Sequence, residues 1–260
     1  MITLLIRSLK YNLSAHFSNL PNLIAGTLGM FLNNMIFLIG MWGMLFSGKT
    51  QTQSLFYYYI ALNALIMSSW GGINFFFGGW MDLGELIVSG QFESKLSTPR
   101  HPLVLVATHG LNPSALGDLL IGLLGIIALM IWGPPGMGLR TCMACGFTGV
   151  TLFSLYVFSG SLAFFIPRGD RVALLIREMV LSLSVYPMGK IFPSGLGRIL
   201  LLLTPAGALS LLPMDWIEKG GWKEFGFASL TALLTLTGAL WVYSKGVKRF
   251  QAIYLVGPQS

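Results

Sequence analysis

Six long apolar blocks, at residues 20–46, 55–80, 115–132, 142–166, 196–212 and 225–243, constrain this chain more than any other feature. A helix needs about 20 apolar residues to cross a bilayer core of roughly 30 Å, and each block is of that order. Lipid offers a backbone no hydrogen-bond partner, so an immersed segment must close its own bonds as a helix or as part of a closed barrel. The strict alternation of barrel strands is absent. Composition agrees: 10% of the 260 residues are charged, against about 25% in a soluble chain, and mean hydropathy is +0.73. The expected fold class is all-α integral membrane, one transmembrane domain over residues 1–260 with about six spans. Turn chemistry at Ser47-Gly48-Lys49, Gly133-Pro134-Pro135-Gly136 and Lys219-Gly220-Gly221 separates the blocks.

Two segments are amphipathic rather than apolar throughout. In residues 1–19, with Leu20 just beyond, Ile2, Ile6, Leu9, Leu13, Phe17 and Leu20 fall on one helical face and Arg7 and Lys10 on another, predicting a helix in the headgroup plane. No small-x-small cleavage site follows, which argues against a signal peptide. Residues 172–185 carry Arg177 and Glu178 in an apolar setting. Insertion of two such charges costs about 2.5–3.5 kcal/mol each, so the segment 167–195 is expected at the cytoplasmic face rather than across the membrane.

Basic residues then orient the chain. With the N-terminus inside, Arg7, Lys10, Lys95, Arg100, Arg168, Arg171, Arg177, Lys190, Arg198, Lys245, Lys248 and Arg249 share one side, leaving Lys49, Arg140, Lys219 and Lys223 on the other. Both termini are expected in the cytoplasm. The net charge of +7 is read as this bias rather than as a nucleic-acid surface, since no stretch interleaves bases with aromatics.

Candidate chemistry is sparse. No G-x-x-x-x-G-K-[ST] loop occurs, so the chain encodes no nucleotide site of that kind. His16, His101 and His109 have no ligand spacing with acids or thiols, and no metal is assigned. Cys142 and Cys145 have redox spacing but open an apolar helix, where a plain pair of membrane cysteines is expected. Phe75-Phe76-Phe77, Trp80 and Tyr57-Tyr58-Tyr59 sit near span ends as an aromatic belt would. Asn33, Asn34, Asn63 and Asn74 could line a pathway or bond between helices. Asp118, a turn inside the third block, is either a functional intramembrane charge or a helix N-terminal acid.

The loop at 81–113 is the informative stretch. It joins the second and third blocks and holds Asp82, Glu85 and Glu93, with Leu86, Ile87 and Phe92 as an apolar cluster that a partner could cover. Its run Gly84-Glu85-Leu86-Ile87-Val88-Ser89-Gly90-Gln91-Phe92-Glu93-Ser94-Lys95-Leu96-Ser97-Thr98-Pro99 is followed by Gly117-Asp118-Leu119-Leu120 with Gly122-Leu123. Further on come Tyr186-Pro187, Leu203-Thr204-Pro205-Ala206 and Leu212-Pro213. In order and spacing these resemble the membrane (permease) subunits of bacterial type 2 ABC exporters, in their short six-span branch. That branch commonly has Arg before the loop's proline, where this chain has Thr98 before Pro99 and Arg100 after it.

The resemblance implies an ATP-driven exporter subunit of the inner membrane without a nucleotide site of its own. Two membrane subunits, identical or homologous, would pair among the membrane lipids, each engaging an ABC ATPase subunit that binds ATP and Mg. The loop would be the coupling helix that fits a cleft in the ATPase, through Glu85, Leu86, Ile87, Gly90, Phe92, Glu93, Leu96 and Pro99. Cargo would be amphipathic, lipid-like or drug-like. The rival readings are an ion-coupled carrier, which needs charges near the midplane, a membrane-embedded enzyme, for which no convergent catalytic set is present, and a non-transporting assembly factor.

Overall fold

The computed structural model describes residues 6, 7, 10, 14, 17–46, 53–107, 109 and 112–256. Most of the predicted interfacial helix at 1–19 lies outside them, although Ile6, Arg7, Lys10, Ser14, Phe17 and Ser18 are helical and exposed. Among the described residues the chain is helical, without strands.

Helix α1 spans Leu20–Phe46 and α2 Gln53–Phe77. A 3-10 turn, Gly78–Asp82, leads to three short helices, α3 (Leu83–Val88), α4 (Glu93–Leu96) and α5 (Pro102–Val106). Then come α6 (Ala115–Trp132), α7 (Met137–Ser161) and α8 (Gly169–Ser184). Helices α9 (Met188–Ile191) and α10 (Gly195–Leu202) precede a π-helical stretch, Gly207–Leu211. Helices α11 (Leu212–Lys219) and α12 (Trp222–Val256) close the chain. Five helical stretches are long and apolar enough to cross a membrane by themselves, built on α1, α2, α6, α7 and α12.

Packing in lipid is won by close approach, because the lipid tails are as apolar as the side chains. Helices α2 and α6 meet through small residues on both sides: a Cβ at Gly71 would strike the backbone of Leu119, and one at Gly122 the backbone of Ser68. Gly117 does the same against Thr27 and Phe31 of α1. Helix α6 is thus held between α1 and α2. An exposed apolar stripe of Ile24, Leu28, Leu32, Ile36 and Ile39 is left on α1.

Residues 167–195, expected at one face, instead traverse the bundle. At its start α8 touches the loop: the Cα of Asp170 lies 3.2 Å from where a Cβ of Gly84 would be, and Arg177 donates to the Met81 carbonyl at 3.0 Å. Beyond its end, Val185 packs against the cluster that includes Tyr58, Met214 and Trp216, and Lys190 Nζ lies 4.5 Å from the centre of the Tyr58 ring. Tyr58 and Met81 bracket nearly all of α2, about 34 Å at 1.5 Å per residue. Helix α8 and the short segment after it thus extend from the loop end toward the Tyr58 end, with α8 packed chiefly against α7. The cost expected for Arg177 is offset by its partners, the Met81 carbonyl and the Tyr156 ring face at 5.9 Å.

The block at 196–212, expected as a span, is not one straight helix: α10 and the segment Gly207–Lys219 meet at 97°. Thr204-Pro205 ends α10, since a proline disfavours helix at the residue before it. Pro213 cannot donate to the carbonyl four residues back, that of Leu209. The Thr148 hydroxyl on α7 supplies that bond at 2.9 Å. Arg198 pairs with Asp215 and Lys190 with Glu218 at 2.5 Å, so both sides of the bend lie at one end of the molecule. The bend returns the chain to the end where α8 left it. Helix α12 then crosses back, setting Phe250 against Phe92 of the loop. Lys190 and Arg198, counted with the inner bases, lie at the far end.

Candidate functional site

In the described part of the loop between α2 and α6, apolar side chains are turned inward. Helix α3 stops at Gly90, whose φ of +78° lies in the left-handed region that favours glycine. The chain then doubles back, with the Phe92 amide donating to the Leu86 carbonyl at 2.9 Å. This places the Phe92 ring, 0% exposed, edge-on to Phe164, Phe250 and Tyr243 at centroid distances of 5.4, 5.9 and 6.4 Å. Leu86 and Ile87 are buried in the same cluster with Leu103, Val106 and Val157. The Trp80 indole donates to the Leu103 carbonyl at 2.8 Å and packs on Phe153 of α7.

The expected apolar docking patch is therefore absent from the surface. Leu86, Ile87 and Phe92 were read as side chains for a partner's pocket; in the fold they anchor the loop to α7 and α12. A sequence of short helices does not tell which apolar residues face the chain's own core. Among the described residues, what the loop presents outward is polar: Glu85, Ser89, Gln91, Glu93 and Ser94, then Ser97 to His101 including Pro99, with Val88 the apolar exception. Leu96 is half-buried. Ser94, Ser97 and Thr98 hydroxyls close local bonds to the carbonyls of Gln91, Glu93 and Lys95. Beside this rim, Asp82, Glu85, Asp170, Arg171 and Arg177 line a groove of about 280 Å³ between the loop and α8.

The four asparagines separate into two groups. Asn63 donates into its own helix, to Tyr59 at 2.9 Å, and Asn74 accepts from the Tyr156 hydroxyl at 3.1 Å. Both are buried between helices. Asn33 and Asn34 instead face a cavity of about 460 Å³ lined by α1, α2, α6 and α8. Asp118 lines it too, accepting from Asn34 Nδ2 at 2.5 Å, and so does Glu178 of α8. The sequence showed Asp118 and Asn34 as separate candidates; their meeting depends on the glycine contact at Gly117.

Tyr58 and Tyr59 are buried rather than forming a belt, and the Cys145 thiol donates to Thr141 at 3.2 Å. Among the described residues no group of three or more His, Cys, Asp or Glu side chains could hold a metal. The anchoring roles of Trp80, Phe164, Tyr243, Thr148 and Arg177 carried no signal in the sequence beyond residue type.

Residues 23–253 match the family model described as ABC-2 family transporter protein. The chain belongs to that family. No curated protein and no solved structure matches. Membership and the apolar helices make this a multi-pass membrane permease, the transport subunit of an ABC transporter, a family whose membrane subunits associate with an ABC ATPase.

Proposed function

We propose that this permease forms, with a second identical or homologous membrane subunit, the pathway of an ATP-driven exporter in a bacterial cytoplasmic membrane. Each membrane subunit engages one ATPase subunit, which carries the ATP and Mg, at the loop over 81–113. The observation that carries this reading is the loop's construction: an exposed polar rim fixed rigidly, through Phe92, to the helices that must move. Closure of the ATPase pair pushes on that rim, and the buried aromatic cluster passes the displacement to α7 and α12. The Arg177 bond to Met81 passes it to α8. Six crossings by α1, α2, α6, α7, α8 and α12 keep the loop, Lys245, Lys248 and Arg249 on the cytoplasmic side, as basic residues favour. Cargo is an amphipathic, lipid-like or drug-like molecule.

Docking residues are accordingly the exposed acids rather than the buried apolar ones. Glu85→Arg with Glu93→Arg reverses two charges on the rim and leaves the Phe92 cluster intact. Co-purification with the ATPase and permease-stimulated ATP hydrolysis should both fall about tenfold or more, with the permease still folded. Unchanged stimulation would sink the docking assignment. Asp118 and Glu178 in one cavity are also what an ion-coupled carrier would need, but membership of an ATP-driven family favours the exporter.

A further inference from the structure

We propose that the cavity between α1, α2, α6 and α8 binds a cationic amphiphile, a molecule with an ammonium head and an apolar tail, and that Asp118 and Glu178 select its charge. This rests on the export reading and names the class of cargo. The lining is acidic at two points and apolar elsewhere, with Phe37, Ile66, Met67 and Trp70 as walls for a hydrocarbon tail. Among the described residues, no Lys, Arg or His side chain lines it. The neighbouring Arg177 is turned away, held by the Met81 carbonyl and the Tyr156 ring.

Asp118 points to the ligand most directly. It is 2% exposed, and Asn34 holds one carboxylate oxygen while the other, Oδ2, is buried and has no hydrogen-bond partner among the described residues. Buried polar atoms are almost always satisfied, and each exception needs a reason. A purely structural Asp118–Asn34 link between α1 and α6 uses only one oxygen. An incoming ammonium would satisfy the second, since it carries several N–H donors and a charge opposite to the site. Glu178, reached from the opposite wall, forms no ion pair among the described residues and adds a second negative charge. The traverse of α8 through the bundle is what brings it there.

The test uses the full-length permease in nanodiscs, without ATPase or ATP, and radiolabelled decylamine, which is protonated at neutral pH as a lysine amine is. Decanol and decanoate share its chain but are neutral and anionic. Expected is saturable binding above that of empty nanodiscs, displaced by unlabelled decylamine and not by the alcohol or the acid. Asp118→Asn keeps an acceptor for Asn34, and Glu178→Gln alters a side chain outside the core, so both variants should fold. Each should weaken amine binding about tenfold, the effect of losing one charge contact. Equal displacement by all three compounds, no saturable binding, or unchanged affinity in both variants would overturn the proposal. A failure of ATPase docking would leave this assay untouched, so the two readings fail separately.

Discussion

The two ends of the bundle are fastened by different chemistry. At the loop end, Phe92, Phe164, Tyr243 and Phe250 form a buried aromatic cluster that joins the loop to α7 and α12. At the far end, the partly exposed ion pairs Arg198–Asp215 and Lys190–Glu218 tie α10 and α9, respectively, to α11. Buried packing is lost all at once when a helix moves away, whereas an exposed ion pair can exchange its partner for water at little cost. Under the coupling role proposed above, the loop end transmits a push and the far end rearranges. Opening free energies vary across a structure in this way, and moving elements come from the weakly held part.

The contrast breaks first if the aromatic anchor proves dispensable. Phe92→Ala should cost about 3–5 kcal/mol, as expected for emptying a fully buried aromatic site. Thermal unfolding of the purified permease would report it as a large fall in Tm, with ATPase stimulation lost alongside. Phe92→Leu refills part of the volume and should recover much of the stability. A permease indifferent to both changes would show that the loop is held by something other than this cluster.

How much of this was written in the sequence depends on how local the cause is. The limits of α1 and α6 coincide with the apolar blocks at 20–46 and 115–132, because an uninterrupted apolar run needs no tertiary context to be helical in lipid. The course of residues 167–195 along the bundle was hidden because Arg177 and Glu178 read as charges with nowhere to go. Arg177 finds the Met81 carbonyl 96 residues away in sequence, and Glu178 finds a cavity. The bend at 204–207 was hidden for the opposite reason: an apolar composition outvoted two prolines. At the site, Glu85 and Glu93 were legible as surface acids, while Phe92 was legible as important and misread as external. No periodicity in a loop of four- to six-residue helices separates those two outcomes.

A sharper version of the comparison concerns how the bent pair is held from the side rather than across its tip. The Thr148 hydroxyl is the donor for the Leu209 carbonyl released by Pro213, and both groups are buried. Thr148→Val keeps the shape and removes that donor. The expected loss is about 1–2 kcal/mol, toward the upper range for interhelical hydrogen bonds in membranes. It should appear as a lower Tm and as faster hydrogen exchange confined to residues 204–219. Exchange that instead rises in the loop at 81–113 would couple the two ends and remove the distinction between them.

The smallest effect is the one that defines the weak end. A double-mutant cycle on Lys190→Ala and Glu218→Ala should return a coupling of about 0.2–1 kcal/mol, because both side chains are about a third exposed and water competes for each. The coupling should shrink further between low and high salt, since the pair lies within reach of mobile ions. The Tyr58 ring beneath Lys190 adds a cation–π contact, which the cycle leaves out because it survives loss of the carboxylate. Lys190→Ala alone should therefore cost more than Glu218→Ala. A coupling well above 1 kcal/mol that resists salt would mean that the far end is as firmly fixed as the aromatic end. The rearrangement assigned to α10 and α11 would then have to occur as one rigid block, turning at Tyr186-Pro187 rather than opening at the ion pairs.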